Sequence, residues 1–142
     1  MNEKLFIDTW GWVVLYNKRE PKHAEIDSFY RRWRLRSGTI YTSDYILDET
    51  FTLLFRRLAA DLSNHILESL DEAVRQGYLN LEWISPERFS TARELRSRFL
   101  DKPTISFTDL TSMVVMKELG IKLILTDDNH FVHVGMGFQK AP

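Results

Sequence analysis

The chain has 142 residues, with 19 lysines and arginines against 20 aspartates and glutamates, a formal net charge of −1 and no cysteine. The lack of cysteine excludes disulfide frameworks, Cys-ligated zinc, iron–sulfur clusters and thiol catalysis. The balanced charge argues against a protein that coats polyanions generally, so any nucleic-acid contact would use a local basic patch. The length predicts one domain over residues 1–142.

Neither a targeting segment nor a membrane span is expected. The N-terminus lacks a charged region followed by a long apolar run. The longest apolar stretch, around Trp10 to Tyr16, is interrupted by Gly11 and is shorter than the ~20 residues that a membrane span requires. We therefore expect a cytoplasmic protein with no membrane partner.

In the first half of the chain, short β-prone runs alternate with helical patterns. The predicted elements are a buried strand at residues 5–7, a short helix over 10–16 capped by Thr9, a helix from Pro21 to about Gly38, and a second strand at 39–42. Ser43 or Asp44 then caps a helix. Its apolar stripe consists of Leu47, Phe51, Leu54 and Leu58.

The second half continues the alternation. The predicted elements are a helix from Asp61 or Ser63 to Gln76, a third strand at 79–84, a helix that starts at Ser85-Pro86 and ends before Pro103, a helix from Ser106 to Leu119, and a fourth strand at 122–126. The helix from Ser106 is apolar on nearly every side, which is typical of a buried helix, and Gly120 ends it. Strands that alternate with helices predict an α/β domain with a parallel sheet.

Acidic residues follow two of these strands. Asp8 comes after the first strand and Asp127-Asp128 after the fourth, while Asp109 lies in the first turn of the buried helix. The carboxyl ends of parallel strands form the ligand-binding edge of such a sheet. A carboxylate cluster there would need a cation, and hard oxygen ligands suit Mg²⁺ or Mn²⁺. Such an ion activates water and neutralises a phosphodiester transition state, so we expect hydrolysis of a nucleic-acid backbone.

Each acid also has a simpler structural interpretation. Asp109 has the spacing of a capping box with Ser106, and Asp8 suits a turn or a helix cap. Asp127 suits an Asx-turn before a short helical piece at residues 130–131. Three such positions at two strand ends and one buried helix start, without a neighbouring Lys or Arg, nevertheless favour a shared pocket.

Four stretches resemble the PIN-domain family, and most closely its VapC-type toxin ribonucleases of bacterial toxin–antitoxin pairs. They are Phe6-Ile7-Asp8-Thr9, Asp48-Glu49, Ser106-Phe107-Thr108-Asp109 and Leu125-Thr126-Asp127-Asp128-Asn129-His130-Phe131. The resemblance implies a three-layer α/β/α fold with a central parallel sheet of four to five strands.

The resemblance also implies which acids act. The catalytic and metal-binding residues would be Asp8, Glu49, Asp109 and Asp128. Asp127, the neighbour of Asp128, would be a further metal ligand that shares or takes over its role. The implied activity is Mg²⁺- or Mn²⁺-dependent cleavage of RNA by a metal-activated water, and the implied partners are an RNA substrate, an antitoxin protein and a second copy in a homodimer. Periodicity does not single out Glu49, because it lies opposite the helix's apolar stripe, as a solvated glutamate would.

Substrate contacts are expected from a second group of residues: Thr9, Ser106, Thr126, Arg31, Arg34 and His130. The arginines flank Trp33 on a predicted helix, where they could bind phosphates while the indole stacks a base. The alternative is that Trp33 continues the core stripe and the arginines form a solvated face. His130 and His133 make only a weak zinc-binding pattern.

Two other functions remain open from the sequence. Receivers and haloacid-dehalogenase-like phosphatases also use aspartates at strand ends, but Trp10 occupies the slot for the phosphatase's second Asp. Asp127-Asp128-Asn129 likewise offers no receiver lysine. A non-catalytic PIN-like interaction module is the other alternative, and the presence of all four acids counts against it.

Overall fold

The computed structural model describes residues 3–142 as a sheet flanked by helices. The strands are β1 (Lys4–Ile7), β2 (Thr39–Ser43), β3 (Asn80–Glu82), β4 (Leu123–Leu125) and β5 (Gln139–Ala141). The helices are α1 (Thr9–Tyr16), α2 (His23–Leu35), α3 (Asp44–Arg57), α4 (Ala60–Arg75), α5 (Pro86–Arg98), α6 (Phe107–Leu119) and α7 (His130–His133). The strands lie in the order β3-β2-β1-β4-β5, and every neighbouring pair is parallel.

The connections place the helices in two layers. From β1 the chain moves outward through β2 to β3, then returns across the sheet to β4 on the other side of β1. Since parallel crossovers are right-handed, α1 to α4 cover one face and α5 and α6 the other. The packing agrees, because α1 contacts α2 and α3, whereas α5 packs on α6. The predicted three-layer α/β/α fold with a parallel sheet is therefore confirmed, with five strands.

The core lies between these layers. The side chains of Leu5, Phe6 and Ile7 in β1 are fully buried, as expected for a central strand covered on both faces. Helix α6 is buried from Asp109 to Met116, which confirms the prediction made from its uniformly apolar sequence. No helix within residues 3–142 combines the length and the apolar character needed to cross a bilayer.

Several predicted helix ends are confirmed by their caps. The hydroxyls of Ser43, Ser85 and Ser106 each accept a hydrogen bond from the backbone N–H three residues later. Gly120 follows α6 at φ 69°, a left-handed conformation that favours glycine. The short helical piece at residues 130–131 is also present, as the start of α7.

The starts of α1 and α2 differ from the prediction. Thr9 is the first residue of α1 rather than its cap, and Asp8 occupies the cap position without a side-chain capping bond. Pro21 lies in a turn, and α2 begins at His23 because the first helical hydrogen bond runs from Ile26 N–H to the Lys22 carbonyl.

Gly38 has a different role from the predicted helix stop. Helix α2 already ends at Leu35, and Ser37 takes the left-handed conformation with φ 60°. A Cβ at Gly38 would lie 2.4 Å from Nε1 of Trp33, which donates to the Thr39 carbonyl. Glycine is needed there because the Trp33 indole packs directly against the backbone.

The remaining differences concern surfaces and a short strand. The buried face of α3 includes Ile46 and Thr50 beside Leu47 and Leu54, while Phe51 is partly buried and Leu58 follows the helix end. Helix α4 begins at Ala60, one residue before the first of the two predicted starts, Asp61 and Ser63. The sequence 139–141 lacks β-branched residues and was not placed in a predicted element, yet it forms β5 because its backbone pairs with β4.

Candidate active site

The ends of β1 and β4 lie side by side, where the strand order reverses. Ile7 pairs with Leu125, and the Asp8 N–H donates to the Leu125 carbonyl over 3.1 Å. The next residues are therefore adjacent: the Thr126 hydroxyl donates to Asp8 Oδ2 at 2.7 Å and accepts from the Asp128 N–H at 3.1 Å. One buried hydroxyl thus positions two acids from different strands.

A cleft of about 370 Å³ opens at this edge of the sheet. Its lining includes the predicted acids from four separate elements and one further glutamate: Asp8, Glu20, Glu49, Asp109, Asp127 and Asp128. Helix α3 contributes Glu49 from one face of the sheet, and α6 contributes Asp109 from the other. The fold therefore brings the acids predicted from sequence to one cleft.

Burial dominates the electrostatics of Asp8. Desolvation raises the pKa of Asp8 to about 6, and the charges of Glu49 and Asp128 raise it as well. The hydrogen bond from Thr126 acts in the opposite direction. The residue is 7% exposed, so the charge of its carboxylate costs free energy in the metal-free protein.

The pKa of Asp109 is raised more than that of Asp8. Desolvation, with the charges of Asp8 and Asp128, raises the pKa of Asp109 to about 8. At neutral pH the metal-free cleft therefore retains a proton that a carboxylate in water would release. A bound cation would reduce the repulsion between these like-charged groups in the buried cleft.

Asp127 and Asp128 have different environments. Asp128 is partly buried, and its Oδ1 accepts from the His130 N–H at 2.8 Å. This is the Asx-turn that the sequence assigned to Asp127, so that assignment was wrong by one residue. Asp127 is exposed, although it lines the cleft, and its carbonyl accepts from Lys140.

His130 adds a nitrogen to the acids. Its Nδ1 lies 3.0 Å from Asp128 Oδ1 and 3.9 Å from Asp109 Oδ2. The nearer contact lacks hydrogen-bond geometry, so this buried nitrogen has no hydrogen-bond partner among residues 3–142. Ligand atoms of Asp109, Asp128 and His130 all lie within 4.8 Å of one another, a spacing that suits one metal ion. Nε2 is 3.1 Å from the Thr104 hydroxyl, which orients the ring.

Glu49 is exposed at the cleft wall on α3. It lies opposite the buried face of the helix, as the periodicity predicted, but α6 and β1 are close enough to make that side part of the cleft. Asp48 is also exposed but does not line the cleft; it lines a neighbouring depression that Glu49 borders as well. The two adjacent acids point in different directions from α3, and only Glu49 points into the space that the other elements enclose.

The expected substrate contacts divide into two groups. Thr9 and Ser106 line the cleft, and Thr126 lies behind it bonded to Asp8. The Thr9 hydroxyl is buried without a hydrogen-bond partner in the described residues, whereas the Ser106 hydroxyl accepts from the Asp109 N–H.

The arginines are not brought to the cleft. Arg31 pairs with Asp27 on the surface of α2, and Arg34 lies 4.8 Å from the ring centroid of Tyr78. Trp33 between them is 2% exposed. The solvated-face interpretation of this basic segment is therefore the one that the packing supports.

Other cleft residues carried no functional signal in the sequence. Glu20, Arg57 and Thr104 belong to a turn, a helix end and a loop. Trp10 also lines the cleft, although its position in the sequence indicated no role in a site. Tertiary packing brings Glu20, Arg57 and Thr104 beside the acids, whereas Trp10 follows Asp8 by two residues.

Replacing the hydroxyl of Thr126 tests its positioning role. We expect Thr126→Val to lower the free energy of unfolding by about 1–3 kcal/mol, since it leaves the Asp128 N–H without its acceptor and removes the donor to Asp8. Urea unfolding in EDTA measures the loss. Thr91→Val is the matched control, because that exposed hydroxyl only donates to the Glu87 carbonyl. Equal losses in the two variants would contradict the positioning role.

Comparison with known proteins agrees with this architecture. A family model described as the PIN domain matches residues 5–136. The 23S rRNA-specific endonuclease VapC20 of Mycobacterium tuberculosis is 30% identical over 132 residues, covering 92% of this chain and 94% of the relative. Its crystal structure, described as a sarcin-ricin loop cleaving toxin, matches with a TM-score of 0.76 at 27% identity, covering 92% of this chain and 95% of that one.

Two further similarities extend the comparison. A VapC ribonuclease of Archaeoglobus fulgidus is 30% identical over 127 residues, covering 85% of this chain and 75% of the relative. VapBC2 from Rickettsia felis, crystallised with a promoter DNA fragment, matches with a TM-score of 0.71 at 18% identity, covering 97% of each chain. The latter similarity concerns the fold alone.

Proposed function

The chain belongs to the PIN-domain family, and on that premise we propose that it is a divalent-metal-dependent endoribonuclease, the VapC-type toxin of a toxin–antitoxin pair. The observation that carries the proposal is the convergence of Asp8, Glu49, Asp109 and Asp128 on one cleft. A receiver or phosphatase is not favoured, because the family model and the relatives are those of PIN nucleases.

The residues present fit a hard divalent cation. Carboxylate oxygens are the preferred ligands of Mg²⁺ and Mn²⁺. Burial, together with the charges of the neighbouring acids, raises the pKa values of Asp8 and Asp109, and a bound cation would offset both effects. The buried Thr9 hydroxyl and His130 Nδ1, both without partners among the described residues, supply further polar atoms at the site.

We assign the four acids as the metal-holding and catalytic set, with Asp127 as a further candidate at the rim. A bound Mg²⁺ or Mn²⁺ would supply an activated water and neutralise charge on the scissile phosphate. The Thr126 hydroxyl links Asp8 to the backbone of Asp128 and so fixes their relative position. The Thr104 contact orients His130 beside Asp128. Glu49 is exposed at the cleft wall, where a carboxylate can accept a proton from an attacking water.

The proposed substrate is a structured ribosomal RNA loop, by analogy with the relative named for 23S rRNA. The proposed protein partner is an antitoxin that binds exposed apolar side chains on α2 to α4, namely Leu35, Phe55 and Leu62. We also propose that two copies of this chain form a homodimer.

The test uses the adjacent acids Glu49 and Asp48. A 23S rRNA fragment containing the sarcin-ricin loop and a control structured RNA are incubated with wild type in Mn²⁺, Mg²⁺ or EDTA, and products are resolved on denaturing gels. We expect metal-dependent cleavage by wild type. Glu49→Gln should reduce it by about 10²-fold or more, because the cleft loses a carboxylate. Asp48→Asn should cleave like wild type, since Asp48 lies outside the cleft.

Cleavage that persists in EDTA would contradict the metal-dependent mechanism. Equal activity of Glu49→Gln and Asp48→Asn would remove Glu49 from the catalytic set. If wild type cuts neither RNA with either metal ion, the nuclease assignment is wrong for these substrates and the non-catalytic alternative gains support.

A further inference from the structure

The acidic cleft must bind a polyanion, and its lining offers one basic side chain for this purpose. Six carboxylates line the cleft, whereas Arg57 is the only lysine or arginine of residues 3–142 in that lining. Metal ions offset charge at the acids themselves. Binding of the RNA backbone beyond the scissile phosphate needs a cation elsewhere on the wall.

Helix geometry places Arg57 at a useful distance from the acids. Glu49, Leu53 and Arg57 all line the cleft, at the i, i+4 and i+8 positions of α3, so they follow one side of the helix. Eight residues correspond to about 12 Å along the axis. Arg57 therefore lies further along the cleft wall than Glu49, at a position that suits a phosphate flanking the scissile one.

The Arg57 guanidinium is available for a ligand. Its only ion pair in the described part of the chain is with Glu20, at 4.0 Å, and its side chain is 51% exposed. Such a long surface pair contributes little. A phosphate that accepts two parallel hydrogen bonds from the guanidinium would replace Glu20 readily.

An aromatic ring lines the same cleft. Trp10 is half-buried, two residues after Asp8, and Nζ of Lys22 lies 6.0 Å from its ring centroid. A large aromatic surface beside carboxylates does not assist metal binding. It does provide the stacking surface on which proteins hold unpaired bases.

We propose that Arg57 and Trp10 form a subsite for one unpaired nucleotide that flanks the scissile phosphate, with Arg57 binding its phosphate and Trp10 stacking its base. The proposal rests on the ribonuclease function and names residues that position the substrate. It places the specificity of the cleft for an unpaired nucleotide in α1 and in the C-terminal turn of α3.

The phosphate contact is tested with Arg57→Ala and Arg57→Lys, and with Arg93→Ala as the matched control. Arg93 is exposed on α5, in the opposite helical layer, so its removal changes the net charge equally. On an RNA hairpin that wild type cleaves, we expect Arg57→Ala to raise KM about tenfold with little change in kcat. The slope of log affinity against log salt should fall by about 0.7. Arg57→Lys should be intermediate, because lysine lacks the bidentate fork.

The base contact is tested with Trp10→Ala and Trp10→Phe on hairpins that carry an abasic nucleotide on either side of the cut. Trp10→Ala should lower kcat/KM roughly tenfold on the intact hairpin. It should match wild type on the hairpin that is abasic at the stacked nucleotide. Trp10→Phe should retain most of the activity, because it keeps an aromatic surface, and a folding defect would instead lower cleavage of every hairpin.

The outcomes separate the subsite from the nuclease assignment. If wild type cleaves the hairpin and Arg57→Ala has the KM and salt slope of Arg93→Ala, the subsite is wrong and the nuclease assignment stands. If Trp10→Ala keeps the wild-type circular dichroism spectrum and lowers cleavage of intact and abasic hairpins equally, the stacking role is wrong. If wild type cleaves no hairpin, both proposals fail.

Discussion

Asp109→Asn is expected to abolish RNA cleavage while making the metal-free protein more stable. The substitution removes a carboxylate from the proposed metal-holding set, and a loss of several kcal/mol of transition-state stabilisation corresponds to about 10³-fold or more in rate. The same carboxylate is buried beside Asp8 and Asp128, whose charges help to raise its pKa to about 8. A neutral amide of similar size avoids this repulsion, so we expect a gain of about 1–3 kcal/mol at pH 8 without added metal.

The two effects are measured by gel assays in Mn²⁺ and by urea unfolding in EDTA. Asp101→Asn is the control: Asp101 is exposed, pairs only with Lys102 among the described residues, and lies outside the cleft. It should leave the rate and the free energy of unfolding nearly unchanged. An Asp109→Asn variant that is both inactive and less stable than wild type would indicate a structural role for the carboxylate instead.

The stability of the metal-free protein is expected to decrease as pH rises from about 4 to about 8. Asp109 and Asp8 have pKa values of about 8 and about 6 in the folded chain, against 3.8 for an ordinary aspartate. Over this range the folded chain keeps protons that the unfolded chain has released. The free energy of unfolding therefore falls with pH, by on the order of a few kcal/mol, and levels off above pH 8.

Added Mn²⁺ or Mg²⁺ should reverse this trend, because an ion binds the ionised carboxylates of the folded chain. Thermal unfolding at pH 5 and pH 8, with EDTA or with Mn²⁺, measures both effects. The ion should raise the Tm more at pH 8 than at pH 5. The Asp109→Asn variant should lose most of the pH dependence and of the response to the ion. A metal-free stability that rises between pH 5 and pH 8 in wild type but not in this variant would contradict the proposed electrostatics.

Much of the fold could be predicted because its signals are local. The uniformly apolar pattern of α6 indicated burial, and Ser43, Ser85 and Ser106 marked helix starts through bonds to nearby N–H groups. Strand β5 was not located because its formation depends on backbone pairing with β4 rather than on its own side chains. The start of α1 was misplaced by one residue, since Asp8 and Thr9 are both suitable caps and the strand ending sets the boundary.

The acids show the same contrast between positions that local sequence indicates and positions that depend on tertiary packing. Sequence position alone put Asp8, Asp109 and the doublet at strand ends and at a buried helix start, because hydrophobic runs reveal where strands end. Periodicity indicates which side of a helix is buried, but it does not indicate which elements approach the other side. Glu49 therefore required the family resemblance, and its proximity to Asp8 is a product of tertiary packing.

The sequence by itself determined the α/β class, the parallel sheet and the residue types available for a metal site, since these follow from local periodicity and from the order of elements. The resemblance assigned Asp128 as the fourth acid, and only the tertiary structure shows how the Thr126 hydroxyl links its backbone N–H to Asp8 and how Asp128 lies beside Asp109. The tertiary structure alone placed Arg57 and Thr104 in the cleft. Those placements depend on contacts between residues that are distant in the chain. The near-neutral composition does not indicate which residues come together.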